Sequence, residues 1–133
     1  MGLQPSDFAG YWVYFGSNVS FDPANPQEAI RACNSVWTAY KFSSDGTWEG
    51  ILVAGSETLT ARTGTWEIAN DRLYISSAGA KGNGITVKPI SSVEVTIDGK
   101  TMVIPINEES PAKATRVTDN EFNNLLELSK TAK

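Results

Sequence analysis

Few side chains in this chain could take part in catalysis or metal binding. The residue types that are missing exclude several kinds of function. No histidine occurs among the 133 residues, which excludes a histidine-ligated metal, a Ser-His-Asp triad and a histidine general base. The single cysteine, Cys33, excludes an internal disulfide. Its apolar neighbours indicate a small buried side chain, with a reactive thiol as the alternative. We expect no metal and no other cofactor.

Two polar side chains fall within patterns of large apolar residues. Tyr40 alternates with Phe42, and Arg62 shares the alternation of Trp66 along a regular strand. An inward arginine needs a carboxylate, supplied either by the protein or by an anionic ligand. At the rim of a sheet the same arginine would simply be solvated, and both alternatives stay open. A tyrosine hydroxyl or an indole gives an apolar site one polar group.

Two other segments resemble functional motifs but lack their defining parts. The glycine-rich stretch 78–84 holds one lysine, without the Gly-Lys-Ser/Thr ending of a phosphate loop or a helical pattern after it. It is interpreted as a flexible loop that could act as a lid. Glu108-Glu109 is flanked by turn-forming residues and indicates a solvated turn, not a catalytic carboxylate pair.

Charge and hydropathy narrow the range of partners. The net charge is -4, the pI is about 4.8 and no basic cluster occurs, so we expect no nucleic acid and no anionic membrane as main partner. No apolar run approaches the roughly 18 residues of a membrane span. Residues 1–8 contain no export signal. We expect a periplasmic or secreted protein whose leader is absent from this chain; a cytoplasmic location and the origin of Met1-Gly2 stay open.

Tryptophan follows a glycine in three alternating stretches: Gly10-Tyr11-Trp12, Gly46-Thr47-Trp48 and Gly64-Thr65-Trp66. A glycine that permits a bend, followed by a large ring on one face, is typical of a curved antiparallel sheet. Strands are expected at 8–15, 36–43, 47–54, 58–68, 72–77, 85–97 (with a possible break near Pro89), 100–106 and 112–117.

Two helices are also expected, each from a capping signal. Asn25-Pro26-Gln27-Glu28 starts a short helix that ends near residue 33. Thr118-Asp119-Asn120-Glu121 forms a capping box before a C-terminal helix over about 119–129. Phe122, Leu125 and Leu126 make one apolar stripe on that helix.

Three turn signals set the register of the strands: Ser44-Asp45-Gly46, Asn70-Asp71 and Asp98-Gly99. The pairs that they predict are Ser43 with Thr47, Ile68 with Leu73, Trp66 with Ile75, Val95 with Met102 and Val93 with Ile104. All three turns bring large apolar residues together on one face, where a slip of one residue would scatter them. We therefore predict a mainly β protein, a single domain over residues 1–133, built as an up-and-down antiparallel barrel of about eight strands.

The inner face of this barrel holds Tyr40, Phe42, Trp48, Leu52, Trp66 and Ile75. An eight-stranded barrel either fills its interior with such side chains or holds one small ligand. An inner glycine, as at positions 50 and 64, either leaves free space or makes room for a neighbouring ring, and the two glycines favour a cavity. The outer face carries Ile51, Val53, Leu59 and Ala61 and needs a cover, either the C-terminal stripe or a second copy of the chain.

These motifs resemble the lipocalin-like (calycin) group, especially its small bacterial domains. The resemblance rests on Gly10-Tyr11-Trp12, on the stretches 42–48 and 63–73, and on the late Arg116. It implies that Arg116 packs across Trp12 and that this pair closes one barrel end. The missing disulfide and the helix after the first strand depart from the family pattern.

We expect the barrel to bind a small, mostly apolar molecule without catalysis. The ligand-binding residues would be Tyr40, Phe42, Trp48, Leu52, Arg62 and Trp66. One alternative is an enzyme of isomerase or cyclase type that uses a tyrosine or carboxylate in the cavity. Another is a protein-binding or inhibitor module that acts through its rim loops. The expected state is a monomer or a weak homodimer.

Overall fold

The computed structural model describes residues 4–16, 21–22, 24–33, 35–77, 80–82, 85–87, 90–104 and 112–131. A 3-10 turn, Pro5–Asp7, precedes the first strand. The strands are β1 Gly10–Tyr14, β2 Val36–Phe42, β3 Thr47–Ala54, β4 Glu57–Ala69, β5 Arg72–Ser77, β6 Ala80–Gly82, β7 Ile85–Val87, β8 Ile90–Asp98, β9 Thr101–Ile104 and β10 Ala112–Val117. The helices are α1 Pro26–Ala32 and α2 Asp119–Thr131.

Eight of these strands close into an antiparallel barrel, in the order β1-β10-β9-β8-β5-β4-β3-β2. Strands that follow each other along the chain are neighbours in the barrel, β5 pairs with β8 across the inserted β6 and β7, and β1 pairs with β10 to complete the circle. The short strands β6 and β7 form a separate two-stranded sheet. The predicted up-and-down barrel and both predicted helices are confirmed.

The first two hairpins have the predicted turns and registers. Gly46 has φ 97° and its N–H donates to the carbonyl of Ser43, which is the glycine bulge expected of a three-residue loop. Asn70 and Asp71 both have positive φ, at 53° and 63°, as a type I′ turn requires. Trp66 accordingly pairs with Ile75, as predicted.

The third hairpin is shifted by two residues from the predicted register. Ile97, not Val95, pairs with Met102, and Asp98 pairs with Thr101. The turn is therefore Gly99-Lys100, with glycine at the first central position and φ 61°, as in a type II′ turn. Because an even shift keeps each side chain on its face, Val95 and Met102 still lie in the same core.

Three further expectations fall on the segments that precede β8 and β10 along the chain; these two strands begin, with β2 and β4, at the open end of the barrel. Residues 80–82, which were assigned to a flexible loop, form β6; the rest of the glycine-rich stretch lies outside the described residues. The expected break near Pro89 falls between β7 and β8. The Glu108-Glu109 turn also lies outside the described residues.

The outer face of the sheet is covered within the same chain. Trp37, Ala39 and Val53 of the sheet pack with Ile30 of α1 and with Phe122 and Leu125 of α2. The Trp37 indole donates a hydrogen bond to the Ser129 hydroxyl at 2.6 Å, and both residues are buried. Cys33 is half-buried beside this outer core, and burial raises the pKa of its thiol. The C-terminal stripe is thus the cover for Ile51 and Val53.

A β-bulge in β4 changes which side chains face inward. Gly50 pairs with Arg62, but the next residue, Ile51, pairs with Thr60. Ala61 is the extra residue, so Leu59 pairs with Leu52 and shares its inner face. The prediction that Leu59 faces outward with Ile51 and Val53 is therefore wrong. It assumed an unbroken alternation along β4.

Candidate functional site

Trp12 and Arg116, the pair that the resemblance implied, are in contact at one end of the barrel, which we term the closed end. Trp12 is fully buried, and its indole donates to the Phe8 carbonyl at 2.8 Å. Arg116 pairs with Trp12 across the strands and places its guanidinium 5.6 Å from the ring centroid. The same guanidinium donates to the carbonyls of Asp7 at 2.6 Å and Ala9 at 2.8 Å. Arg116 thus fixes the turn that precedes β1 onto the barrel end.

Aromatic rings fill the half of the barrel next to this closed end. Phe42 and Trp48 stack with centroids 6.0 Å apart, and Phe8 meets Trp66 edge-on at 4.7 Å. The indole N–H groups find backbone acceptors: Trp48 donates to Thr65 and Ser76, and Trp66 to Ser43. With their rings packed and their polar atoms satisfied, these predicted ligand-binding residues act as the floor of the barrel interior.

Of the two roles expected for an inner glycine, Gly64 makes room for a neighbouring ring, and neither Gly50 nor Gly64 leaves free space. A methyl group on Gly64 would lie 2.6 Å from the Trp48 indole nitrogen and against the Ser76 carbonyl oxygen. Gly64 therefore allows the close approach of Trp48 and leaves no free space beside it. A methyl group on Gly50 would make ordinary contacts at 3.6–3.8 Å with Arg62, Tyr40 and Trp48. The space beside Gly50 is occupied by Arg62 and Tyr40.

Arg62 lies just above the aromatic floor, and one of its guanidinium nitrogens has no hydrogen-bond partner among the described residues. It faces Gly50 on the inner side of the sheet, next to Tyr40. Its Nη1 atom is buried, and among the described residues no acceptor lies within hydrogen-bond distance of it. A buried guanidinium nitrogen without an acceptor is costly, because its lost hydration is not replaced. Of the two alternatives for Arg62, the inward placement is the one observed.

Burial and charge set the protonation states of this pair. Burial raises the pKa of Tyr40 to about 12, although the positive charge of Arg62 opposes the shift. Burial also lowers the pKa of Arg62, whose guanidinium nevertheless stays protonated at neutral pH. Tyr40 therefore keeps its hydroxyl proton. The pair offers hydrogen-bond donors and one positive charge to a group on its side towards the open end.

Above Arg62, the side of the barrel that β3 and β4 form is less tightly filled. Leu52 and Leu59 form the next inner pair towards the open end, and both are half-buried. Beside Leu52, Thr38 pairs with Tyr14 of β1. An open pocket of about 490 Å³ lies at this end, lined by Leu52, Ala54, Glu57, Thr58 and Leu59. Arg62 is thus separated from the pocket by the layer of Leu52 and Leu59, which belong to the pocket lining.

The structure brings together only part of the predicted ligand-binding set. Tyr40, Leu52 and Arg62 lie at or above the floor, whereas Phe42, Trp48 and Trp66 form it. Sequence reasoning missed Tyr14 and Leu59. The alternation of Tyr14 with Trp12 places both on one strand face and could have indicated Tyr14. No sequence signal marks the bulge that turns Leu59 inward.

Metal ligands, membrane-spanning helices and known relatives add nothing to the description of this site. Within the described ranges, no three histidine, cysteine, aspartate or glutamate side chains are grouped as a metal site would require. None of the helices in that part of the chain is long and apolar enough to cross a membrane. No family model, no curated protein and no solved structure matches the chain.

Proposed function

We propose that the barrel binds a small, mostly apolar molecule through an anionic end, without transforming it chemically. The observation that carries this proposal is the buried, unpartnered Nη1 of Arg62 at the base of the open half. An anionic group placed there would supply the acceptor that the described residues do not, and a charged hydrogen bond in an apolar setting is strong.

The surroundings of Arg62 support an apolar body for this molecule. Leu52 and Leu59 lie between Arg62 and the open end, and the pocket of about 490 Å³ begins at these two side chains. Ligand sites typically combine such an apolar lining with a few polar groups that fix orientation. Tyr40, protonated because its pKa is raised to about 12, would act as a second donor and not as a base.

A matched pair of fluorescent probes tests the proposal. 1-Anilinonaphthalene-8-sulfonate carries an anionic group that N-phenyl-1-naphthylamine lacks, while the ring systems are the same. We expect the sulfonate to bind the intact protein at least tenfold more tightly, and Arg62→Gln to remove this preference. The control is Arg72→Gln, since Arg72 is exposed on the outer surface and pairs with Glu94 at 3.2 Å. Absence of saturable binding, or a preference unchanged in Arg62→Gln, would refute the proposal.

A second control asks whether the chain provides its own carboxylate. Glu108 and Glu109 lie outside the described residues, so they are replaced together by glutamine. If either glutamate is the partner of Arg62, the double variant and Arg62→Gln should show similar decreases in the free energy of unfolding. The anionic probe should then fail to displace that glutamate from Arg62. Under the proposal, the double variant keeps the stability and the probe preference of the parent protein.

A further inference from the structure

The inner side chains of the barrel form layers along its axis, and these layers limit what can bind. On β3, the inner positions from the closed end outward are Trp48, Gly50, Leu52 and Ala54. The second layer contains Arg62 and the third contains Leu59, while Ala54 pairs with Glu57 at the rim. Arg62 therefore lies between the aromatic floor and the apolar third layer.

The distance from the Arg62 layer to the rim follows from strand geometry. Ala54 lies two layers beyond Gly50, which is four residues or about 13 Å along a strand that rises about 3.3 Å per residue. A strand tilt of about 40° reduces this to about 10 Å along the barrel axis. Because an extended hydrocarbon chain zigzags, each bond of about 1.5 Å advances about 1.25 Å along the chain, and about eight carbons cover that depth.

We infer that the preferred ligand class is the medium-chain carboxylates of about eight to ten carbons, bound with the carboxylate at Arg62 and the far end of the chain at the rim. This inference rests on the proposed function and adds an orientation and a length to it. The opposite orientation would place the tail against a floor that Trp48 and Phe42 already fill. It would also leave the Nη1 of Arg62 facing hydrocarbon.

The length limit is tested with straight-chain carboxylates of 6, 8, 10, 12 and 16 carbons, each below its micelle concentration, by calorimetry on the intact protein. Each methylene buried between Arg62 and the rim should raise the affinity about three- to fourfold. The increase should stop near ten carbons, because later methylenes extend into water. An affinity that keeps rising at the same rate to 16 carbons, or that does not depend on length, overturns the inference.

Two variants test separately the contacts that the two ends of the ligand make. Arg62→Gln should weaken all chain lengths by a similar factor of at least tenfold and leave the increment per methylene unchanged. Leu59→Ala should instead reduce the increment for the shorter chains, since Leu59 borders the chain above the carboxylate. An increment that Leu59→Ala leaves unchanged would contradict the placement of the chain beside this residue.

Orientation is tested with dodecanedioate, which carries a carboxylate at both ends. With one carboxylate at Arg62, the other emerges beyond the rim, and binding should stay within about fivefold of dodecanoate. If the tail instead lies in the interior, the second charge is buried and binding falls more than a hundredfold. If none of the carboxylates binds and the probes also fail, the proposed function itself is wrong; probe binding with a different length profile refutes only this inference.

Discussion

The indole of Trp48 occupies the space that any side chain at position 64 would need. Its nitrogen donates to the Thr65 and Ser76 carbonyls, so the ring is fixed and cannot move aside without losing these bonds. The absence of a side chain at Gly64 and the position of Trp48 therefore depend on each other.

This dependence predicts that Gly64→Ala is strongly destabilising. The added methyl group would lie 2.6 Å from the Trp48 indole nitrogen, against the neighbouring carbonyl, and we expect a loss of about 3 kcal/mol in the free energy of unfolding. Gly50→Ala is the control, because its methyl group makes contacts of 3.6 Å or more and alanine is favoured over glycine in a strand. Urea denaturation measures both, and equal losses would refute the argument.

Replacing Arg116 by alanine should destabilise the closed end. The change removes the guanidinium over Trp12 and its hydrogen bonds to the carbonyls of Asp7 and Ala9. We expect a loss of about 2 kcal/mol. Arg116→Lys keeps the charge but cannot reach several carbonyls at once, so it should recover less than half of the loss. A denaturation midpoint unchanged in Arg116→Ala would show that the pair contributes nothing.

Stability should fall in alkaline solution through Tyr40. Its pKa is about 10 in the unfolded chain and about 12 when folded, so the folded state holds the phenol proton more tightly. The corresponding stability is fully present below pH 10 and is lost as the pH rises towards 12, with about 2–3 kcal/mol at stake. Comparing chemical denaturation of Tyr40→Phe and the parent protein between pH 9 and 12 isolates this part. Parallel curves would argue against a buried neutral phenol.

The hydrogen bond between Trp37 and Ser129 should attach α2 to the barrel. Ser129→Ala would leave the buried indole N–H without its acceptor at 2.6 Å, and we expect a loss of about 1–2 kcal/mol. Trp37→Phe combined with Ser129→Ala completes a double-mutant cycle. A coupling energy near zero would show that the two groups do not stabilise each other.

Glu57 should oppose the entry of anions, because it is the acidic residue in the pocket lining. Glu57→Gln should raise the affinity for an anionic ligand about twofold at low salt, and the difference should vanish near 1 M salt. Glu67→Gln is the charge-matched control, since Glu67 lies nearer the closed end, opposite Tyr74. Equal effects of both changes would indicate a response to net charge alone.

Turn chemistry and alternation were sufficient to predict the barrel, because each is a local property of the chain. Positive φ at Asn70 and Asp71 follows from residue types that tolerate it, and one correct turn then fixes every pair along its hairpin. The Asp98-Gly99 turn shows the limit: glycine suits several turn positions, and only the packing of the whole sheet selects one. The error of two residues preserved the faces, and so the core was still predicted correctly.

The candidate site was harder to predict because it depends on contacts between distant strands. Arg62 could be placed inward by alternation from Trp66, within one strand segment. The sequence alone could not show whether Gly64 leaves free space, because this depends on the orientation of the Trp48 ring. Leu59 lies beyond the bulge at Ala61. Alanine is not characteristic of a bulge, so the local alternation assigned Leu59 to the wrong face.

The bulge at Ala61 is a position where β4 can change in length without exchanging its two faces. Deleting Ala61 would restore regular pairing, and Arg62 would still lie opposite Gly50 and Leu59 opposite Leu52. A one-residue deletion elsewhere in the strand would instead move the side chains on one side of it to the opposite face. The strand can therefore gain or lose one residue at this position while both ends of the barrel keep their lining.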